Sequence, residues 1–587
     1  MGKKYGLPPS GEIHIQESYT NFSGNAEREP DWDLFEKSLK EKFKNLDGAG
    51  IVELYAMKNG GTVEKKAREI MERTLDIPVV CSHELFSELN SLQRGSSTLL
   101  NASLFPVIKE FLEAIKKAMM KRGLNASLVI VRSDGSLMSE EFAALRPVET
   151  LLCGPASSIS GGLRLSAEKD CVIVDMGGTT TDIALVKNGF PVEATGGVSI
   201  GKWRTFVHGF FIRTLGLGGD SAVHYRDSIL YLEEYRVVPL CIAAAAHPEI
   251  VNNLKSLLEK GIKHSFFLHE HFILIKDINE SERYSEREKK FCAILAKGPL
   301  IMKDAAQALN TDIYNLNVSG LIKDGVIQLC GFTPTDAMLI KNDFYRSAVS
   351  GSANFSEDSG SSREASLLGA RFIALNLGTT VEKLCDRVYE EVRQKLYVNV
   401  VKVLLENNDK YYSEHGIDKE AERFILNNYR HAAAGNPDRQ ITLNFKTDFS
   451  LVGIGAPIHV FLPELARLLG ARSVIPEYFN VANALGAVAS QVRASYTVEV
   501  HPEFSPRGIT GYKVYGPGTV KTFMTLKEAE ACAAEEAAEG AEKEARKRGA
   551  HGKLELNREI RRNEGTAKNN TFYMGSTVIA HASGELA

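Results

Sequence analysis

The apolar residues of this chain change period many times along its length. In the stretch 104–121 they fall at Val107, Ile108, Phe111, Leu112, Ile115 and Met119, spacings of three and four that predict one face of a helix. Val381, Leu384, Val388, Val392, Leu396 and Val400 repeat the pattern and predict a long helix over 381–405. Amphipathic stretches at 32–46 and 63–75 predict two more helices, and the short apolar runs at 50–57, 79–81 and 128–132 predict strands between them. Alternation of this kind predicts α/β layers.

The pattern changes at residue 171. Cys171-Val-Ile-Val-Asp175 predicts a strand, Asp182-Ile-Ala-Leu-Val186 a second, and residues 190–194 a third. Lys187-Asn188-Gly189 lies between the last two, and Asn-Gly accepts the positive φ that a tight hairpin needs. The prediction is an antiparallel meander with a Gly/Thr loop at its first turn. Residues 286–332 predict a small insert, two helices followed by a helix and hairpin like those of a winged helix. Further on, 451–457 predicts a strand entering a Gly-rich turn, 458–469 a helix, and 481–492 a helix of small residues. Strand patterns flank an Ala/Glu/Lys helix at 526–548. The expected segments are 1–147 (an N-terminal α/β domain), 148–285 (first part of a phosphate-loop core), 286–332 (the insert), 333–497 (second part of the core) and 498–587 (a C-terminal α+β region).

Composition narrows the function classes. Of 587 residues, 44% are hydrophobic and 25% charged, which is ordinary for a globular protein and too apolar for disorder. Lys+Arg number 70 and Asp+Glu 74, a net charge of −4. That balance removes the electrostatic case for a nucleic-acid or anionic-membrane binder, and the insert is not basic enough to revive it. No apolar run approaches the ~20 residues of a membrane span. The N-terminal stretch lacks the apolar core of a secretory signal. Eight cysteines are scattered with no CxxC pair, as expected of buried thiols in the cytoplasm.

Asp175-Met-Gly-Gly-Thr-Thr-Thr-Asp182 is the strongest chemical signal. Gly177 and Gly178 let backbone N–H groups approach a phosphate with no Cβ between. Thr179, Thr180 and Thr181 add hydroxyl donors. Asp175 ends a strand and can hold Mg²⁺, directly or through water. Asp182 flanks the loop and can orient a water or make a second metal contact. A polar-tipped structural hairpin is the alternative, and it leaves the combination of Gly-Gly, Thr and Asp unexplained. Two other glycine stretches are poorer phosphate loops. Gly196-Gly-Val-Ser-Ile-Gly201-Lys202 is followed by Trp203 where a Walker loop has Ser or Thr. Asn59-Gly-Gly-Thr62 has no Asp before it.

The Asp175–Asp182 loop resembles the phosphate-binding hairpin of the actin, Hsp70 and sugar-kinase superfold. Around it, Cys81-Ser-His-Glu-Leu85, Gln93-Arg-Gly-Ser-Ser-Thr-Leu-Leu-Asn-Ala102, Pro147-Val-Glu-Thr-Leu-Leu-Cys-Gly-Pro-Ala156, Gly216-Leu-Gly-Gly-Asp-Ser221, Thr333-Pro-Thr-Asp336, Gly453-Ile-Gly-Ala-Pro457 and Val481-Ala-Asn-Ala-Leu-Gly-Ala487 occur in the order found in the hydantoinase/oxoprolinase family. The chain resembles that family over nearly its whole length. The resemblance implies an actin/Hsp70-like, ribonuclease H-type core with the winged-helix-like insert and the C-terminal α+β region. It implies ATP and Mg²⁺ as cofactors and a small cyclic amide, such as a hydantoin or 5-oxoproline, as substrate. The lactam oxygen would be phosphorylated and the activated carbon attacked by water.

The resemblance also assigns roles. Gly218 and Gly219 belong to a second nucleotide-facing loop, although many relatives carry Gly where Asp220 stands. Gly453, Gly455, Ala456 and Pro457 resemble the adenosine motif, facing the first loop across a cleft. His83 is a proton donor or acceptor, and Arg94 a ligand for a substrate carboxylate or amide oxygen. An interdomain hydrogen bond is the plainer role for each. Relatives normally open with a first phosphate hairpin, Asp-x-Gly-Gly-Thr, and this chain carries one such loop, not two. The expectation is a fragment, a chain whose missing hairpin or second hydantoinase-type subunit comes from another polypeptide, or one that has lost hydrolysis. A regulatory nucleotide-binding protein and a small-molecule kinase of the same superfold are the competing functions.

Overall fold

The structure is a computed structural model describing residues 2–9, 12–21, 24–43, 46–86, 88, 90–261, 267–343, 360–434, 444–505, 508–515, 520–567 and 570–586. It divides into two compact units, each discontinuous in sequence. The first comprises Met1–Ser160, Glu193–Phe211 and Ala484–Ala587, and the second Gly161–Val192 and Ile212–Asn483.

The second unit is built on a six-stranded sheet. Its strands are β1 (Cys171–Met176), β2 (Thr181–Lys187), β3 (Phe190–Pro191), β4 (Ile212–Leu215), β5 (Ser450–Ile454) and β6 (Ser473–Val474). The order is β4-β2-β1-β5-β6, with β3 beside β2. β2 runs antiparallel to β1, β3 and β4, whereas β5 is parallel to β1 and β6. Val172, Ile173 and Val174 are fully buried, so β1 reads as an unbroken apolar run rather than an alternating one. The meander forms as its pattern predicts, with Asn188 (φ 54°) and Gly189 (φ 82°) at its turn. The third strand is a correction. Only Phe190–Pro191 of the expected 190–194 pairs with β2, and Pro191 has no N–H with which to extend the ladder. Ile212–Leu215 fills the place beside β2 instead.

Helix Val381–Asn408 starts at the Thr380 cap and buries Leu384, Val388, Val392, Leu396 and Val400, the residues of its apolar stripe. Helix Ile458–Leu468 packs on β5 through Ile458, Phe461, Leu462 and Leu465. The expected insert lies in this unit. Helices Glu286–Leu295, Met302–Ala308 and Ser319–Lys323 enclose a core of Phe291, Cys292, Leu295, Ala305 and Leu321. Strands His271–Leu274, Leu300–Ile301 and Ile327–Gly331 line that core from a second sheet.

In the first unit, residues from both ends of the chain share a seven-stranded sheet, and Leu137 pairs with Val492. Helix Leu526–Lys547 lies on it through Ala529, Ala533, Ala537, Ala541 and Ala545. Their spacing of four makes one narrow methyl stripe, which lets helix and sheet approach closely. Helix Ser91–Lys121 begins well before the predicted residue 104 because Asn90 caps it, its side chain accepting from the Gln93 N–H at 3.2 Å. Its first turns bury Arg94, Ser96, Ser97 and Thr98, polar residues that no hydrophobic period reveals.

Candidate functional site

Three glycine turns of the second unit meet at one end of the six-stranded sheet. The first joins β1 to β2. Gly177 N–H donates to the Thr180 carbonyl at 2.9 Å, closing the loop, and Gly178 and Thr179 stand exposed at its tip. The second turn, Gly216–Ser221, lies against it. Gly219 N–H donates to Gly177 O at 3.0 Å and Asp220 N–H to Gly178 O at 2.7 Å. Any side chain on Gly218 would collide with the Gly178 carbonyl. The third turn follows β5, whose Ile454 is level with Asp175. Gly455 adopts φ +86°, a Cβ there would strike Met176 O, and it would sit 2.9 Å from Asp175 Oδ1. The first and third turns are therefore side by side on neighbouring strands, closer than turns facing across a cleft. Gly219 and Pro457 link the second turn to the third, since a Cβ on Gly219 would lie 3.6 Å from the proline ring. Ala456 is exposed beside Gly455, and buried Gly453 packs on the helix that follows.

Two carboxylates share one face of the β1–β2 ladder, where Asp175 is directly opposite Asp182. Asp182 is 7% exposed. Burial pushes its carboxyl up to about 6, the Asp175 charge adds to that shift, and a hydrogen bond from the Thr214 hydroxyl opposes it. A third carboxylate approaches from the second turn, where Asp220 Oδ2 would lie 2.7 Å from a Cβ on Gly178. Its carboxyl is also raised by burial, against the pull of Arg236. Thr181 turns its hydroxyl away to Leu217 O at 2.7 Å and braces the loop from behind. Thr335 does the same for the second turn, donating to Gly219 O at 2.8 Å. Asp336 accepts from the Leu240, Cys241 and Thr333 N–H groups and from the Thr333 and Ser366 hydroxyls, so it serves as a buried cap.

The glycine-lined backbone with two facing carboxylates fits a phosphate carried with a divalent cation. The fit rests on Asp182: a carboxyl held up by burial and by a second carboxylate is relieved by a cation between them. Asp175 and Asp182 are the residues that would hold Mg²⁺.

His83 and Arg94 belong to the first unit and form a different cluster. Glu64, fully buried, accepts from the His83 ring at 2.6 Å, the Ser82 hydroxyl at 2.6 Å, Glu53 N–H at 2.8 Å and His83 N–H at 3.0 Å. Burial raises the Glu64 carboxyl, but these hydrogen bonds together hold it below its ordinary value. Gly61 is left-handed (φ +70°) with no room for a Cβ beside the His83 ring, so the Asn59–Thr62 stretch is a seat for that histidine. Cys81 adds a sulfur within 4.8 Å of the Glu64 and His83 ligand atoms, but burial pushes its thiol up to about 12, which disfavours the thiolate a metal needs. Arg94 is fully buried and donates to Ser82 Oγ at 2.9 Å, Glu88 O at 2.6 Å and Glu53 O. Those hydrogen bonds make it a brace for the Glu64–His83 pair. Gly197 packs against the chain, since a Cβ there would collide with Thr205 O, while Gly196 beside it is exposed.

Arg236, Thr214 and Thr335 are the site residues that sequence reasoning misses. Thr335 stands in the Thr333-Pro-Thr-Asp336 motif, which is a signal for it. Arg236 and Thr214 reach the loop only through strand pairing, and nothing near them in sequence marks them.

The hydantoinase/oxoprolinase family profile matches residues 94–311. The chain is 31% identical over 168 residues to caprolactamase subunit alpha of Pseudomonas jessenii, a stretch covering 28% of this chain and 24% of that protein. It is 25% identical over 167 residues to the acetophenone carboxylase gamma subunit of Aromatoleum aromaticum, covering 27% and 22% of the two. The matched stretches thus span about a quarter of these curated relatives. In fold, the chain is similar to the crystal structure of the ATP-dependent caprolactamase from Pseudomonas jessenii, with a TM-score of 0.54 and 17% identity over 98% of this chain and 70% of that one. Among the described residues no helix is long and apolar enough to cross a membrane. Residues 94–311 are thus similar to the hydantoinase/oxoprolinase family.

Proposed function

We propose that this chain binds Mg²⁺–ATP at the three glycine turns and uses it to open a small cyclic amide. The observation that carries this reading is the meeting of the turns at 177–178, 218–219 and 455 on the Asp175–Asp182 pair. Sheet order β4-β2-β1-β5-β6 with only β2 reversed supports the ribonuclease H-type core of actin-like ATPases. Gly178 and Thr179, at the exposed tip, would hold the phosphates through backbone N–H and hydroxyl groups, while Gly177, whose N–H closes the loop on the Thr180 carbonyl, shapes it from behind. Gly455, Ala456 and Pro457 approach the adenosine side, and Gly218 and Gly219 back the loop. Asp175 and Asp182 would hold Mg²⁺, which would neutralise charge on the transferring phosphoryl group. Asp182, when not spent on the metal, is poised to take a proton near neutral pH.

The chemistry balances simply. The lactam oxygen attacks the terminal phosphorus and ADP leaves. One water then adds to the activated carbon, the ring C–N bond breaks as the nitrogen takes a proton, and a second water cleaves the resulting acyl phosphate to carboxylate and phosphate. His83, held by Glu64, is the proposed proton carrier for the substrate step. A second subunit of hydantoinase type is the proposed partner, as the names of the relatives specify subunits. A second reading follows from the acetophenone carboxylase match: the same phosphoryl transfer to a ketone-derived oxygen would prepare carboxylation. ATP turnover with Mg²⁺ separates the readings, measured with hydantoin, 5-oxoproline, caprolactam or acetophenone plus bicarbonate, with and without a partner subunit. Amide-stimulated turnover supports the hydrolase, ketone-stimulated turnover supports the carboxylase, and binding without stimulation by any substrate leaves a regulatory nucleotide protein.

A further inference from the structure

Arg236 ends strand Ile229–Arg236, which pairs with strand Ser221–Arg226 so that Arg236 stands opposite Ser221. The adjoining Val237 N–H donates to Asp220 O at 2.9 Å, tying this strand end to the second glycine turn. The guanidinium reaches from there to the tip of the first turn and donates to Thr179 Oγ1 at 3.2 Å. Thr179 and Arg236 are both exposed. A guanidinium has five N–H donors, and one goes to Thr179.

The charges around the loop give this arginine a purpose. Asp175 and Asp182 stand opposite each other on the strands that flank the loop and Asp220 lies against Gly178, and carboxylates repel a phosphate. A site that takes a nucleoside triphosphate needs positive charge beyond one divalent ion, and at the exposed tip an arginine fork fits a terminal phosphoryl group in a way that Lys does not.

We propose that Arg236 binds the terminal phosphate of a nucleoside triphosphate at the exposed Gly178–Thr179 tip. The proposal rests on the nucleotide-binding reading above. It makes Arg236 the residue by which the site distinguishes triphosphate from diphosphate.

The test is calorimetric titration of the full chain with Mg²⁺–ATP and with Mg²⁺–ADP, for wild type, Arg236→Ala and Arg236→Lys, with melting temperatures on the same preparations. Arg236→Ala is expected to weaken ATP roughly ten- to hundred-fold, the worth of a charge-assisted contact, and to leave ADP within about three-fold. Arg236→Lys should recover part of the loss, because it restores the charge without the fork. Equal weakening of ATP and ADP, or no change in either, overturns the proposal while the nucleotide site stands. A large drop in melting temperature with no change in the ATP-to-ADP ratio shows a structural arginine and overturns it too. If the wild type binds neither nucleotide, the nucleotide-binding reading itself falls and takes the proposal with it.

Discussion

Two clusters of buried carboxylates have opposite electrostatics. In the first unit, Glu149 and Asp134 surround Arg132, with Glu149 at 2.6 Å and Asp134 at 2.8 Å, and Arg146 adds a contact to Glu149 at 3.1 Å. Burial raises the Glu149 carboxyl, but Arg132, Arg548 and Arg146 together drive it far below its ordinary range. In the second unit, Asp182 is met by a hydroxyl and by another carboxylate, and its carboxyl rises to about 6. The first cluster has its cations built in and is a finished structural joint. In the second, a hydroxyl rather than a cation opposes the burial of Asp182 at a glycine-lined surface, and the proposed ligand would bring the positive charge. Burial of acids alone does not mark a site: Asp336 is raised by burial too and serves as a cap, and what sets Asp182 apart is a facing carboxylate beside an exposed glycine loop.

Removing the countercharge from the finished joint should have the largest effect. Arg132→Ala leaves Glu149 and Asp134 buried without their central cation and is expected to cost ~3–5 kcal/mol, read by urea unfolding, with nucleotide affinity per folded molecule unchanged. The second cluster should respond in the reverse sense. The Asp182 carboxyl has a folded value of about 6 against an ordinary 3.8, so the folded chain keeps a proton that the unfolded chain releases. Stability should therefore fall as pH rises from about 4 to about 6 in the absence of Mg²⁺. Asp182→Asn should flatten that fall and stabilise the protein at pH 7 by up to ~2–3 kcal/mol. An unchanged pH slope would show that Asp182 titrates normally. Gly455→Ala should cost ~1–3 kcal/mol for its left-handed backbone, more if the Met176 carbonyl cannot shift, and nucleotide binding should weaken with it. The smallest change is Thr214→Val, which removes the hydroxyl on Asp182 and should cost ~0.5–1.5 kcal/mol at pH 7 while moving the pH-dependent fall to higher pH.

The two clusters also differ in how far the sequence reveals them. The loop was legible because its glycines, threonines and aspartates are contiguous and follow an apolar strand. The third turn was legible from Gly453-Ile-Gly-Ala-Pro457, but its direct contact with Asp175 depends on parallel pairing of strands separated by about 280 residues. The third strand was misplaced because Phe190 looks like strand, whereas Ile212-Arg-Thr-Leu is short and mixed. The start of helix Ser91–Lys121 was hidden by a polar buried face, and the Arg132 joint by the distance between its members, Glu544 and Arg548 among them. The assignment of both chain ends to one unit also depends on long-range pairing, as between Leu137 and Val492. Arg236 carries no local mark at all.

The central claim is that the Asp175–Asp182 pair at the glycine turns is a nucleotide–metal site. Its most direct test is Mg²⁺–ATP binding to wild type and Asp175→Ala, with melting temperatures on the same preparations. The account predicts that the wild type binds and that Asp175→Ala binds ten- to hundred-fold more weakly, the ~1.5–3 kcal/mol of a lost charge-assisted contact, with its melting temperature little changed. A wild type that binds no nucleotide, or a variant that melts earlier but binds as tightly per folded molecule, would contradict it.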